Sequence, residues 1–366
     1  MPFAITRKPT RQVHVGNVTV GGDAPIRVQS MTNTPTADAA ATADQIARLR
    51  RAGCEIIRVA VPDEESAAAL PKIKEAAGIP VIADIHFDFR LAVAAARNGA
   101  DGLRINPGNI GASWKVKEVV AAARDHGCAI RVGVNAGSLE KRLLDKYGAA
   151  TAEAMVESAL GHAEFILSLG FENLKLSIKA SDVPRTVDAY TLLSEKLDLP
   201  LHLGVTEAGG RLAGTVKSAV GMGLVLAKGI GDTIRVSLTG DPLPEVRVAW
   251  EILRSLGIRA RGPEIISCPT CGRTQIDLAA IADQVEQELA FMTAPVKIAV
   301  MGCVVNGPGE AREAVVGIAG GKGQGILFRR GEVVRKVPEA DLVKTLVEEA
   351  RQLEQEYIDK QGKPRQ

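Results

Sequence analysis

The sequence predicts an α/β protein: a (β/α)8 TIM barrel followed by a small α+β domain. Eight short β-rich runs alternate with helical stretches up to residue 257. The 366 residues suit a barrel of roughly 250 plus a second unit of roughly 100. Beyond Gly257 the character of the chain changes, and three of its five cysteines gather in one segment. The expected division is therefore 1–257 and 258–366.

The chain opens on QVHVGNVTVGG at 12–22, whose alternation about a Gly-Asn turn reads as a hairpin plugging the barrel floor. The eight runs follow: IRVQSMTNT from 26, EIIRVAVP from 55, PVIADIHF from 80, GLRINP from 102, AIRVGVNAG from 129, NLKLSIKAS from 173, PLHLGVTEAG from 200 and TIRVSLTGD from 233. The segments between them are amphipathic and alanine-rich, and Gly53, Gly78, Gly99, Gly127 and Gly170 close five of them as suits helix C-termini. Strand and helix alternating eight times over about 230 residues favours a closed parallel barrel over an open doubly wound sheet. The longer connection at 138–170, beginning SLEKRLLDKYG, reads as a solvated charged helix in preference to a lid carrying Lys141 and Arg142.

Composition narrows the function. The formal charge is only +2 and the basic residues are interspersed with acids, which gives no electrostatic footprint for nucleic acid or an anionic membrane. No apolar run approaches the roughly 20 residues that span a bilayer, and residues 1–11 have no signal-peptide core, so a cytoplasmic protein is expected. Cys54 and Cys128 stand apart beside predicted strands and read as small buried apolar side chains.

Parallel strands buried on both faces should be nearly continuous in Val, Ile and Leu. These instead carry polar residues at alternate positions, the period that points one set into the barrel. Arg58, Asp84 and His86, Arg104 and Asn106, Arg131 and Asn135, Lys175, Ser177 and Lys179, His202 and Thr206, and Arg235 and Ser237 all fall on such sets. Buried cations without partners are costly, and acids such as Asp84 and Glu207 are too few to match the set. At the C-terminal mouth, surplus Arg and Lys imply a substrate carrying phosphate or diphosphate. The loops EAGGRLAG from 207 and LTGDP from 238 offer glycines where phosphate could meet backbone N–H groups. Glu207 and His86, at strand ends, are the candidate general acid or base groups. His202 lies deeper and reads as a core histidine, while His14, His126 and His162 fall on the hairpin or on helical segments.

After the last barrel helix, PEVRVAWEILRSLG, the linker IRARGPE leads into IISCPTCGR. A helix (IDLAAIADQVEQELA), a strand (VKIAVMGC), the loop VVNGPGEAREA, two strands (VVGIAGG and GILFRRGEVVRKV) and a final helix complete the expected second domain. Cys268 and Cys271 form CPTC, Cys303 ends a strand, and Glu310 lies seven residues further on. Structural zinc, a dithiol pair and an iron-sulfur cluster compete for these thiolates. Zinc wants four Cys or His ligands, yet every histidine precedes residue 203 and the other two cysteines belong to the barrel. A dithiol leaves Cys303 and its glycine-rich loop unexplained. A cubane cluster held by three cysteines and one oxygen accounts for all of them, with Gly302, Gly307 and Gly309 letting the backbone wrap inorganic sulfur. An iron bound by an exchangeable carboxylate could then take a substrate oxygen as a Lewis acid while delivering electrons.

Chain geometry points to an oligomer. The last barrel helix returns from mouth to floor, about 20 Å for some 13 residues, so the second domain starts at the wrong end of its own barrel. A linker of about seven residues spans at most about 25 Å, which makes a return to the same mouth strained. A head-to-tail homodimer, each second domain capping the other chain's barrel, removes the strain.

SCPTCGR, MGCVVNGPGEA, RVAVPD, ADIHFD, LRINPGNIG, RVGVNAGSLE and VTEAGG together resemble the bacterial 4-hydroxy-3-methylbut-2-enyl diphosphate synthases, the penultimate enzymes of the methylerythritol phosphate route to isoprenoids. The resemblance covers nearly the whole chain, which lacks room for the extra domain of the plant-type enzymes. It implies an oxidoreductase that reductively opens 2-C-methyl-D-erythritol 2,4-cyclodiphosphate with loss of water. Two electrons would pass singly through a 4Fe-4S cluster, with flavodoxin or ferredoxin as donor. By the motif match Cys268, Cys271, Cys303 and Glu310 are the implied cluster ligands, and the implied dimer has the cluster domain closing the partner's barrel. A cyclic diphosphate also accounts for the cationic lumen, with Arg58, Arg104, Arg131, Asn135, Lys175 and Arg235 as expected contacts. Glu207 is then the expected proton donor to the departing hydroxyl, with His86 as the second catalytic candidate. The rival readings are a zinc-stabilised barrel doing non-redox chemistry on a sugar phosphate, and a cluster-bearing electron-transfer module, which leaves the polar lumen unexplained.

Overall fold

A computed structural model describes residues 4–304 and 311–361. The chain divides into two compact units, one ending at Arg259 and the other beginning at Ala260.

In the first unit, β1 (Val13–Val15) and β2 (Val18–Val20) form the expected hairpin, with Gly16 at positive φ in its turn. All eight expected barrel strands are present: β3 (Arg27–Met31), β4 (Ile56–Ala60), β5 (Val81–Asp84), β6 (Gly102–Ile105), β7 (Ala129–Asn135), β8 (Leu174–Lys179), β9 (His202–Leu203) and β10 (Thr233–Ile234). Each pairs in parallel with its neighbours, β10 returns to β3, and a bridge from Leu176 to Leu201 joins β8 to the start of β9, so the ring closes. Between them run α1 (Ala39–Arg51), α2 (Glu64–Ala77), α3 (Phe89–Arg97), the short α4 (Pro107–Ile110), α5 (Ser113–Asp125), α6 (Lys141–Tyr147), α7 (Ala152–Ser168), α8 (Val183–Lys196), α9 (Arg211–Ala227) and α10 (Leu243–Ser255).

Local chemistry sets these boundaries. Asp38, Asp63, Asp88 and Asp182 accept hydrogen bonds from first-turn N–H groups of α1, α2, α3 and α8. The five glycines expected to close helices all adopt positive φ. Along the strands Ile57, Val59, Val81, Ala83, Leu103, Ile130 and Val132 face outward into one core shared with the helices. At the floor Val13, Val15 and Val20 pack on Ile56, Ile82 and Ala129, so the hairpin does plug the barrel. Cys54 and Cys128 are buried, and burial pushes their thiols up to about 12 and about 11. The charged segment at 141–147 is a helix tied to its neighbour: Lys146 and Arg142 both reach Glu157 of α7, at 2.6 and 3.6 Å.

In the second unit β11 (Glu264–Ser267), β12 (Lys297–Met301) and β13 (Val316–Ala319) run parallel, while β14 (Gln324–Arg329) and β15 (Glu332–Pro338) continue the sheet antiparallel. The helices α11 (Leu278–Glu288) and α12 (Leu342–Gln361) bury Val285, Leu342 and Leu346 against Ile298, Val300, Ile318 and Leu327. A smaller cluster, with Ala299, Met301, Ala319 and Phe328, forms separately from it. Two expectations are corrected here. The IIS run before the CPTC motif is itself a strand, and GILFRRGEVVRKV is two strands. Arg330 and Gly331 both take positive φ, at 49° and 82°, making the tight turn that right-twisted antiparallel strands prefer. An Arg in place of the usual Asn or Asp masked that turn in the sequence. Among the described residues no helix is long and apolar enough to cross a membrane.

Candidate functional site

Register brings the charged residues of the barrel together. Asp84 on β5 pairs with Arg104 on β6, Arg104 with Arg131 on β7, and Arg131 with Lys175 on β8, so four charged residues stand abreast on adjacent strands. Arg131 and Lys175 are each only 1% exposed, and Arg58, Arg104 and Lys179 are also buried. Arg235 joins them nearer solvent, its side chain 14% exposed. Two glycines, Gly133 on β7 and Gly204 just after β9, make the room: a Cβ on Gly133 would sit 2.9 Å from Arg104 Nε, and one on Gly204 would sit 2.8 Å from Lys179 Nζ.

Two carboxylates face these six cations. Asp84 accepts a hydrogen bond from Arg104 Nη1 at 3.1 Å and lies 3.7 Å from Arg58 Nε and 3.5 Å from His86 Nε2. Glu245, reaching in from α10, lies 3.8 Å from Arg235 Nε. Arg58 also donates to the sulfur of Met31. Asp232, a third buried acid, is occupied by Arg7, Thr10 and the N–H of Leu201. Donors are thus left over. Among the described residues Arg104 Nε, Arg131 Nε and Nη2, Lys175 Nζ, Arg235 Nε and His202 Nε2 are buried without a hydrogen-bond partner. His202 is only half satisfied, through Nδ1 and the hydroxyl of Thr233 at 2.8 Å, so the core reading holds for one face of its ring.

Burial dominates the ionisation of the lumen. It lowers Lys175 to about 7, helped by Arg131, and holds Arg131, Lys179 and His202 well below their ordinary values, with neighbouring cations acting in the same direction. Burial alone would raise the Asp84 carboxyl, but Arg58, His86, Arg104 and Arg131 together hold it well below the usual carboxylate range.

The two catalytic candidates stand apart. His86 follows β5 beside Asp84, with its side chain 54% exposed at the rim. Glu207 follows β9, four strands away in the ring of eight, so the two face each other across the mouth. Glu207 is exposed, has φ at 52°, and shares an open pocket of about 480 Å³ with Asn135, Ser138, Thr206 and Arg185. Positive φ in a residue bearing a Cβ is uncommon and directs this side chain through local strain. The LTGDP loop is a poorer phosphate cradle than its glycine implied. The N–H of Leu238 donates to Glu245 and that of Thr239 to the carbonyl of Gly209.

Sequence reading missed Glu245 and Gln29. Gln29 is 1% exposed with both amide atoms unpartnered among the described residues. It shares the inward alternation of Arg27 and Met31 on β3, a signal the polar-lumen argument could have used. Glu245 lies on a helix, where strand alternation says nothing.

In the second unit Cys268 follows β11 and Cys303 follows β12, at the same ends of two adjacent parallel strands. The N–H of Gly302 donates to Cys268 Sγ at 3.4 Å, and Gln275 N–H donates to the Gly302 carbonyl at 3.1 Å, which brings the CPTC loop against the Cys303 strand. A Cβ on Gly302 would lie 2.9 Å from the Thr274 methyl, so glycine permits this approach. The exposed Cys271 thiol is lowered by the backbone amide and side chain of Arg273. Among the described residues no three His, Cys, Asp or Glu side chains converge on a single-ion site. Glu310 lies outside the described residues.

The depressed Lys175 value has a pH consequence. Between about 7 and 10.5 the folded, unliganded chain has released a proton that the unfolded chain keeps, so this group adds stability as pH rises through that window. A polyanion bound beside Lys175 would restore the ammonium. Pyrophosphate binding at pH 8 is therefore expected to take up as much as about one proton and to weaken with rising pH. Calorimetry in two buffers of different ionisation heat measures the uptake, which Lys175→Met should reduce, leaving the part that Lys179 and His202 contribute.

Comparison with known proteins places this arrangement in a family. The GcpE TIM-barrel domain matches residues 10–250 and the GcpE protein C-terminal domain matches residues 264–352. A Geobacter sulfurreducens protein named 4-hydroxy-3-methylbut-2-en-1-yl diphosphate synthase (flavodoxin) is 63% identical over 344 residues, covering 94% of this chain and 98% of its own. Proteins of the same name from Desulfotalea psychrophila and Anoxybacillus flavithermus are 58% and 55% identical, covering 97% and 98% of this chain and 99% of their own. Since the matches span both the cationic barrel and the thiol-bearing unit, the chain belongs to the GcpE family.

Proposed function

We propose that this chain is an oxidoreductase of isoprenoid biosynthesis, opening 2-C-methyl-D-erythritol 2,4-cyclodiphosphate reductively and with loss of water to give 4-hydroxy-3-methylbut-2-enyl diphosphate. The observation that carries the reading is the surplus of buried, unpartnered cationic donors in the barrel, which a cyclic diphosphate would satisfy. The names of the near-full-length relatives supply the identity of the reaction.

In this reading Arg104, Arg131 and Lys175 hold the diphosphate deep in the lumen, Arg58 and Arg235 flank it, and Asn135 orients it at the mouth. Desolvation strengthens each of these contacts relative to water. Glu207 gives a proton to the departing hydroxyl, and His86, steadied by Asp84, serves the opposite rim. The substrate domain is 1–257 and the cluster domain 258–366. Cys268, Cys271 and Cys303, with Glu310, would hold a 4Fe-4S cluster. The three cysteines fit such a group: Cys268 and Cys303 follow the same ends of adjacent parallel strands, the Gly302 N–H donates to Cys268 Sγ, and the exposed Cys271 thiol is lowered by Arg273. When bound, the cluster supplies electrons singly and a Lewis-acidic iron. Flavodoxin, which the names of the relatives carry, is the proposed donor. The site of action is the cytoplasm.

Anaerobically purified protein is expected to contain near four irons and four sulfides per chain, and Cys271→Ser to lose both together with the visible absorption. Stoichiometric zinc surviving cluster reconstitution would favour the zinc-stabilised alternative. Glu207→Gln should lower kcat by about 10²–10⁴ while the cyclodiphosphate still binds; full activity with an unchanged pH profile would remove Glu207 from the role. The active form is expected to be the head-to-tail dimer, since the first unit ends at Arg259, paired with Glu55 at the floor end of β4. A fully active monomer in sedimentation would sink that assembly.

A further inference from the structure

Glu245 is a buried carboxylate with no role in the reaction as described, and its contacts are unusual for a residue on an outer helix. It lies in the first turn of α10 and is 4% exposed. Its Oε1 accepts the N–H of Leu238 at 2.9 Å, and its Oε2 accepts the hydroxyl of Ser30 at 3.4 Å and lies 3.8 Å from Arg235 Nε. One side chain therefore ties together the end of β3, the loop after β10 and a lumen guanidinium.

The contacts differ in kind. The bond from Leu238 has ordinary hydrogen-bond geometry, whereas 3.8 Å to Arg235 is too long for a hydrogen bond yet close enough for charge attraction in a buried setting. Arg235 is consequently tethered while its Nε stays unpartnered. The other carboxylate of the lumen, Asp84, is already engaged by Arg104, with Arg58 and His86 beside it. The first turn of α10 also suits a negative charge, because the helix leaves N–H groups unpaired there.

We propose that Glu245 is a positioning residue for the anion site: it holds Arg235 and the Leu238 loop in place, so that an entering diphosphate meets a preset guanidinium. The proposal rests on the lumen being a diphosphate site. Simple neutralisation would have the opposite signature. A carboxylate that only offset the charge of Arg235 would repel an incoming anion, and removing its charge would tighten binding; a carboxylate that positions Arg235 weakens binding when lost.

The test is titration of the full-length, cluster-loaded protein with inorganic pyrophosphate, using the parent, Glu245→Gln, Arg235→Lys and the double variant. Glutamine keeps an acceptor for the Leu238 N–H but drops the charge. The expected result is a loss of affinity of about 10-fold in Glu245→Gln and little further loss when it is added to Arg235→Lys, the non-additivity of residues acting as one unit. Parent-like or tighter binding in Glu245→Gln, or full additivity in the double variant, overturns the proposal while leaving the lumen reading intact. Failure of the parent itself to bind pyrophosphate overturns both. Should Glu245→Gln not fold, Ser30→Ala, which takes one hydrogen bond from the carboxylate, is expected to weaken binding about 3-fold with the same dependence on Arg235; no change, or additivity, overturns the proposal.

Discussion

Six cations share the inside of one barrel with two carboxylates, and the rest of the first unit is arranged around that imbalance. Each buried ion is unfavourable by several kcal/mol unless compensated, and like charges on adjacent strands add to the cost. The outward faces of the strands and the helices against them form one continuous apolar core that holds the ring closed. The hairpin seals the floor with Val13, Val15 and Val20, so the charges are capped by apolar packing from below. What the fold leaves uncompensated is available to a ligand, and an anion bound there would offset the cost of burying these charges.

The two carboxylates divide the work by position. Asp84 stands within the ring of charges and steadies Arg58, Arg104 and His86 on the β4 to β6 side. Glu245 comes from outside the ring and serves the β3 and β10 side, where it also takes a loop N–H. Glycine has an equally specific part. Gly133 and Gly204 occupy inward positions where any side chain would displace Arg104 or Lys179, so the absence of atoms there is as much a property of the site as the cations are.

The second unit solves a different problem with similar means. Two adjacent parallel strands, with only a small core behind them, bring Cys268 and Cys303 to the same end of the sheet. Gly302 allows the CPTC loop to pack directly against the neighbouring strand end. The helices lie over an apolar cluster of their own, against which Cys268 also packs.

Much of this was legible in the chain itself. Strand count, helix ends at glycine, the floor hairpin and the inward set of cations all follow from short-range periodicity and backbone chemistry, which a linear sequence records directly. The thiol motifs and the family resemblance are equally local. The turn at Arg330 and Gly331 escaped because its first residue is not one that usually takes positive φ, and the β11 run because it is too short to show a period. Tertiary structure alone decided which cations have partners, that His202 is satisfied on one ring nitrogen only, and that Glu245 reaches the lumen from a helix. Those outcomes depend on the register between strands and on how far a helix side chain extends across its packing contact, distances that no spacing along the chain encodes.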